Sequence, residues 1–148
     1  MKNTQHTLLL EYQRSLIYLA LDEKSVSSML PGYAGGGYTG DVERWRNAAL
    51  GFLWRNLSSG LIAVSVPTPL VPTSMPSLDL YSLFARASQN LEDEREFNLW
   101  NAVQFSGTAH LTRMLRDHAL CDWSFYSGAL NIELIRALLK TYGNRGRK

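Results

Sequence analysis

The chain has 148 residues, enough for one domain, and its 45% apolar and 11% aromatic content suffices for a real core. A net charge of +2 with 19% charged residues is mild, and it lacks the clustered basic excess of a nucleic-acid binder. One cysteine, Cys121, excludes an intrachain disulfide, and no stretch reaches the ~20 apolar residues of a membrane span.

The N-terminus begins like a signal peptide, but the apolar run Leu8–Leu10 is broken at once by Glu11, Gln13 and Arg14. A soluble, cytoplasmic protein is the expectation. Leu8, Tyr12, Leu16 and Leu19 recur at helical spacing, with Leu9, Ile17 and Ala20 beside them, which predicts a helix from Thr7 to Glu23. Ser25 caps a short turn that Pro31-Gly32 ends. The segment 32–41, GYAGGGYTGD, follows with five glycines and two tyrosines.

Asp41 suits an N-cap, and Val42, Trp45, Ala49 and Phe52 line one face of a second helix. Gly60 stands where a left-handed C-terminal cap is expected, and LIAVSV at 61–66 reads as a short strand. Four of the five prolines fall in 67–77, which predicts an extended connector. Ser77 is the expected cap of a third helix carrying Leu80, Leu83, Phe84 and Ala87. The acidic run Glu92-Asp93-Glu94, with Glu96, interrupts it, and FNLWNAVQF at 97–105 resumes a helical pattern that Ser106-Gly107 ends. Thr108 caps a helix with Leu111, Met114 and Leu115; DWSFYSG at 122–128 is an aromatic, turn-rich link. Asn131 caps a last helix through Leu139, closed by Gly143. The expected fold is mainly α: residues 1–143 as one domain of about five helices with a small β element, and 144–148 as a basic flexible tail.

The glycine segment is not a phosphate loop. It lacks the lysine of a P-loop, and a helix precedes it where a nucleotide fingerprint needs a strand. It reads as a mobile connector that carries Tyr33 and Tyr38 as amphipathic anchors. His110, Asp117, His118, Cys121 and Asp122 crowd one stretch, but no second ligand cluster completes a metal site. His118 suits a helix end and Cys121 a small core residue. No nucleophile elbow is present. No catalytic residue, cofactor or metal is therefore assigned. Arg44, Arg46 and Arg55 with Trp45 keep open a winged-helix-like DNA-binding regulator as the alternative function; a small enzyme built on His110, His118 and Cys121 is a third.

Residues 44–66, RWRNAALGFLWRNLSSGLIAVSV, resemble a segment of the small immunity proteins of bacterial contact-dependent growth inhibition and polymorphic toxin systems. Arg46, Ala49, Leu50, Leu53, Leu57, Gly60, Leu61, Ile62 and Val64 carry the likeness, and NIELIRALLKTYG at 131–143 is similar to the final helix of that pattern. The resemblance implies a cytoplasmic protein that catalyses nothing and blocks the active site of a cognate toxin domain. Such a partner would meet Tyr33 and Tyr38, the acids Glu92, Asp93, Glu94 and Glu96, and Trp123 or Tyr126. Trp123 in the core and the acids in a solvated turn are the competing readings.

Overall fold

A computed structural model describes residues 4–37, 40–69, 71, 75–87 and 94–144, without the side chains of residues 4 and 94–97. Among them are six α-helices and one pair of short strands. In chain order these are α1 (Thr4–Leu21), α2 (Val42–Ser58), β1 (Ile62–Val64), α3 (Ser77–Arg86), α4 (Glu94–Asn101), β2 (Phe105–Gly107), α5 (Ala109–Asp117) and α6 (Ile132–Asn144). Single 3-10 turns lie at Val26–Ser28 and Trp123–Phe125. No described helix is long and apolar enough to cross a membrane.

The apolar stripe of α1 is buried as its periodicity requires, with Leu16, Ile17 and Leu19 enclosed. The polar face goes in as well. Glu11, Gln13 and Ser15 are buried, and each meets the backbone of a loop. The Ser15 hydroxyl accepts the Leu30 amide at 3.1 Å, and Glu11 accepts the Gly32 amide at 2.8 Å. Gln13 uses both ends of its amide: Nε2 donates to the Ala129 carbonyl at 3.0 Å, and Oε1 accepts the Asn131 amide at 2.8 Å.

Asp41 caps α2 by accepting the Arg44 amide at 3.1 Å, and Gly60 follows the helix with φ 76°. Trp45 is fully enclosed and donates its indole N–H to the Met29 carbonyl at 2.8 Å. The glycine segment packs on this ring. A Cβ at Gly37 would stand 3.0 Å from the Ser27 carbonyl oxygen and 3.2 Å from Trp45 Cη2. Close approach therefore requires glycine here, and Gly36 and Gly37 are buried where the sequence suggests a mobile connector.

Residues 97–105 do not form the single helical stretch that their pattern predicts. The helix stops at Asn101, and Phe105–Gly107 is a strand antiparallel to β1, pairing Val64 with Phe105 and Ile62 with Gly107. Lys24 bridges the other edge of β2, exchanging both backbone bonds with Phe105 at 3.0 and 2.8 Å. The expected caps at Ser77 and Thr108 are also redirected. Pro76 takes the cap position of α3 while Ser77 Oγ donates to the Leu57 carbonyl at 3.3 Å. Thr108 stands at the start of α5 but donates its hydroxyl to the Gly60 carbonyl at 2.6 Å. Both hydroxyls join distant segments instead of closing their own helices.

Arg46 joins α2 to the end of α3. Its Nη2 donates to the carbonyls of Phe84 at 3.3 Å and Ala85 at 3.2 Å, and to that of Ala87. The last carbonyls of a helix have no intrahelical donor and carry the negative end of its dipole, so one cation meets both needs. The guanidinium also lies 4.9 Å from the Trp100 ring centroid, and the Trp100 indole donates to the same Ala87 carbonyl at 3.2 Å. Replacing Arg46 by Ala is expected to lower the unfolding free energy by about 3 kcal/mol in urea titration, with Arg46→Lys recovering about half. Equal stability of Arg46→Lys and wild type would show that a single point charge is enough.

Candidate functional site

The segment between α5 and α6 presents aromatic side chains to solvent. α5 ends in paired backbone bonds, Leu120 N–H to the Leu115 carbonyl at 2.8 Å and Ala119 N–H to that of Arg116 at 3.0 Å. Ala119 takes φ 57°, the left-handed residue of this termination. The Asp122 carboxylate then accepts the Ser124 amide at 2.8 Å, and that bond holds its pKa below the ordinary aspartate value. Asp122 thus stays ionised at the start of the turn Trp123–Phe125.

Trp123 is 47% exposed and Phe125 41%, with Tyr126 half-buried beside them. Tyr18 of α1 supplies the floor. Its ring centroid lies 5.1 Å from that of Trp123, nearly perpendicular at 86°, and 6.2 Å from Tyr126; Trp123 and Tyr126 are 6.1 Å apart. Both contacts to Tyr18 are edge-to-face and the third pair is tilted, arrangements that aromatic rings favour over a direct face-to-face stack. The chain leaving this cluster runs directly into the two Gln13 bonds at Ala129 and Asn131. The aromatic turn is thus anchored to the buried helix.

Beneath the rings lies Lys24, whose Nζ stands 4.4 Å from the Tyr18 centroid. Burial lowers its pKa from 10.5 to about 8, opposed in part by the negative charge of Glu11. Burial also raises the Tyr126 pKa, with Glu11 the next cause. Glu11 carries an ion pair with Arg14 at 3.4 Å and accepts the Gly32 amide, so the same carboxylate borders the aromatic turn and the turn leading to Tyr33.

Tyr33 is half-buried, with the Arg44 guanidinium 5.7 Å from its ring centroid. Tyr38, Glu92 and Asp93 lie outside the described residues, as does the tail from 145. Glu94 and Glu96 fall within α4, where the backbone alone is described. Trp123, for which core packing was the competing reading, is on the surface. His110 is exposed, His118 shares a hydrogen bond with the Met114 carbonyl through Nδ1 at 2.9 Å, and Cys121 is half-buried. Among the described residues no three His, Cys, Asp or Glu side chains gather where they could hold a metal ion.

Sequence reasoning missed Tyr18, Phe125, Lys24 and the three polar residues of α1. For the last, a usable signal existed: Glu11, Gln13 and Ser15 interleave with Tyr12, Leu16 and Ile17, so burial of those apolar neighbours on both sides leaves little exposed face. No protein-family model, curated protein or solved structure matches the chain.

Two measurements test this anchoring. Gln13→Ala removes both bonds to the link at 129–131, leaves the half-buried Asn131 amide without its acceptor, and should cost about 2 kcal/mol of stability while that amide loses protection from hydrogen exchange. Unchanged exchange at Asn131 would show that the turn is held by other contacts. For Lys24, the folded and unfolded chains both bind its proton below about pH 8, and between about 8 and 10.5 the unfolded chain alone retains it. Stability of the wild type, measured against Lys24→Met, should therefore rise with pH across that window. A flat difference would place an ordinary lysine there.

Proposed function

We propose that this chain is an immunity protein: it binds a cognate bacterial toxin domain in the cytoplasm, covers that domain's active site and performs no reaction. The observation that carries the reading is the solvent-facing group of Trp123 and Tyr126 packed on Tyr18, with Phe125 exposed in the same turn. Tight protein complexes concentrate their energy in a few aromatic anchors, and anchors already ordered before binding lose less entropy on docking. The resemblance of residues 44–66 and 131–143 to immunity proteins supports the same reading. Tyr33 would extend the contact surface, and Tyr38 with the acids Glu92, Asp93, Glu94 and Glu96 would add a second anchor and opposite charge toward a basic substrate groove.

The DNA-binding alternative has less support. Arg46 is engaged by the end of α3 and Trp100, and Arg55 donates to the Tyr12 hydroxyl at 2.9 Å, so Arg44, Arg46 and Arg55 present no common basic face.

The test is co-expression with the toxin domain encoded beside this gene. The wild-type chain should restore growth and bind the purified domain. Trp123→Ala with Tyr126→Ala, at exposed or half-buried positions, should keep the helical spectrum and weaken binding about 100-fold, or roughly 2.8 kcal/mol. Full protection by the double variant would move the interface elsewhere, and failure of the wild type to bind would end the immunity reading.

A further inference from the structure

Away from the aromatic turn, α1, α2 and α6 enclose an open groove of about 170 Å³. Its walls are mostly aliphatic, with Leu8 and Leu9 from α1 and Ile135, Leu138 and Leu139 from α6, and the side chains of Tyr12 and Tyr142 complete the lining. One cation enters it, the guanidinium of Arg55 from α2. Two features fix that group. The Tyr12 hydroxyl accepts from Arg55 Nη1 at 2.9 Å, and the guanidinium lies against bare backbone, since a Cβ at Gly51 would stand 2.6 Å from Nη1. Among the described residues the ion pairs are Arg14–Glu11 and Arg136–Glu133, which leaves Arg55 with no carboxylate partner.

An arginine held at an aliphatic groove, with most of its donor fork uncommitted, matches a molecule having one anionic end and one apolar end. A planar fork binds a carboxylate through two parallel bonds, and the aliphatic walls reward a chain that leaves water. The volume sets the size: a cavity of about 150 Å³ takes a benzene ring, so this groove takes about six carbons. We propose that it is a binding site for a small unbranched monocarboxylate, with the carboxylate on Arg55 and the chain between Leu8, Leu9, Leu138 and Leu139. The site is separate from the toxin-facing surface and does not depend on that reading.

The test is a titration of the full chain with sodium hexanoate, 1-hexanol, hexylammonium chloride and sodium acetate, followed by amide chemical shifts. Hexanoate should saturate, with shifts confined to α1, α2 and α6, and bind at least tenfold more tightly than each of the other three. Arg55→Met should reduce hexanoate to the affinity of hexanol. Leu139 is 57% exposed, so Leu139→Glu should leave the fold intact and weaken hexanoate at least tenfold by repulsion and lost apolar contact. Equal binding of hexanol and hexanoate, shifts centred on residues 122–126, or no saturation would each overturn the proposal. So would a sedimentation coefficient that falls on Leu139→Glu, because the groove would then be a contact between copies of the chain.

Discussion

Three polar side chains within five residues of one helix hold the surface loops in place. Glu11, Gln13 and Ser15 belong to a helix whose apolar residues are also enclosed, so they have no route to water except through unfolding. Each uses its buried oxygen or nitrogen on loop backbone: Ser15 and Glu11 on the turn at 30–32, Gln13 on the link at 129–131. Leaving any of these groups unpaired in a dry interior costs about 1–3 kcal/mol, which exceeds the ~1 kcal/mol that a made bond contributes. The arrangement therefore acts mainly against alternatives. Burial of leucines and aromatics makes the chain collapse, and the polar bonds select one position for each loop.

That selection explains why the candidate surface sits where it does. The turn leading to Tyr33 and the link following Tyr126 are both tied to α1, and Glu11 borders both. Burying a lysine and a carboxylate in this neighbourhood is unfavourable, and the lowered Lys24 pKa records that cost. The Tyr18 ring covers Lys24, and Trp123 and Tyr126 pack on Tyr18 while remaining partly exposed. On the opposite flank Arg46 does comparable work for α3 with a single guanidinium.

The mainly helical class, the Asp41 and Asn131 caps and the β1 strand were readable from local pattern, because each depends on residues three or four apart. The register of the sheet was not. The partner of Ile62–Val64 lies some forty positions onward, and Phe105-Ser106-Gly107 is too short to announce a strand. Polar residues were misjudged in a consistent way. Ser77 and Thr108 have the chemistry of caps, and what redirected them was a distant carbonyl that no local rule can see. Trp123 and Tyr126 were identified by their type and their turn-rich setting, while Tyr18 escaped notice because a tyrosine in an apolar helix looks like core. The glycines of 35–37 signalled freedom, yet Gly35 and Gly36 hold positive φ in an ordered turn and Gly37 lets backbone approach Trp45.

The Gln13 bonds span 116 and 118 residues of sequence, and the Tyr142 hydroxyl donates to Asn56 across another 86. The polar side of α1 is thus completed by residues far along the chain. Until residues 129–131 are in place, Gln13 lacks both of its backbone partners. Contacts over such distances form more slowly than a helix does, so these bonds close after the helices that carry them.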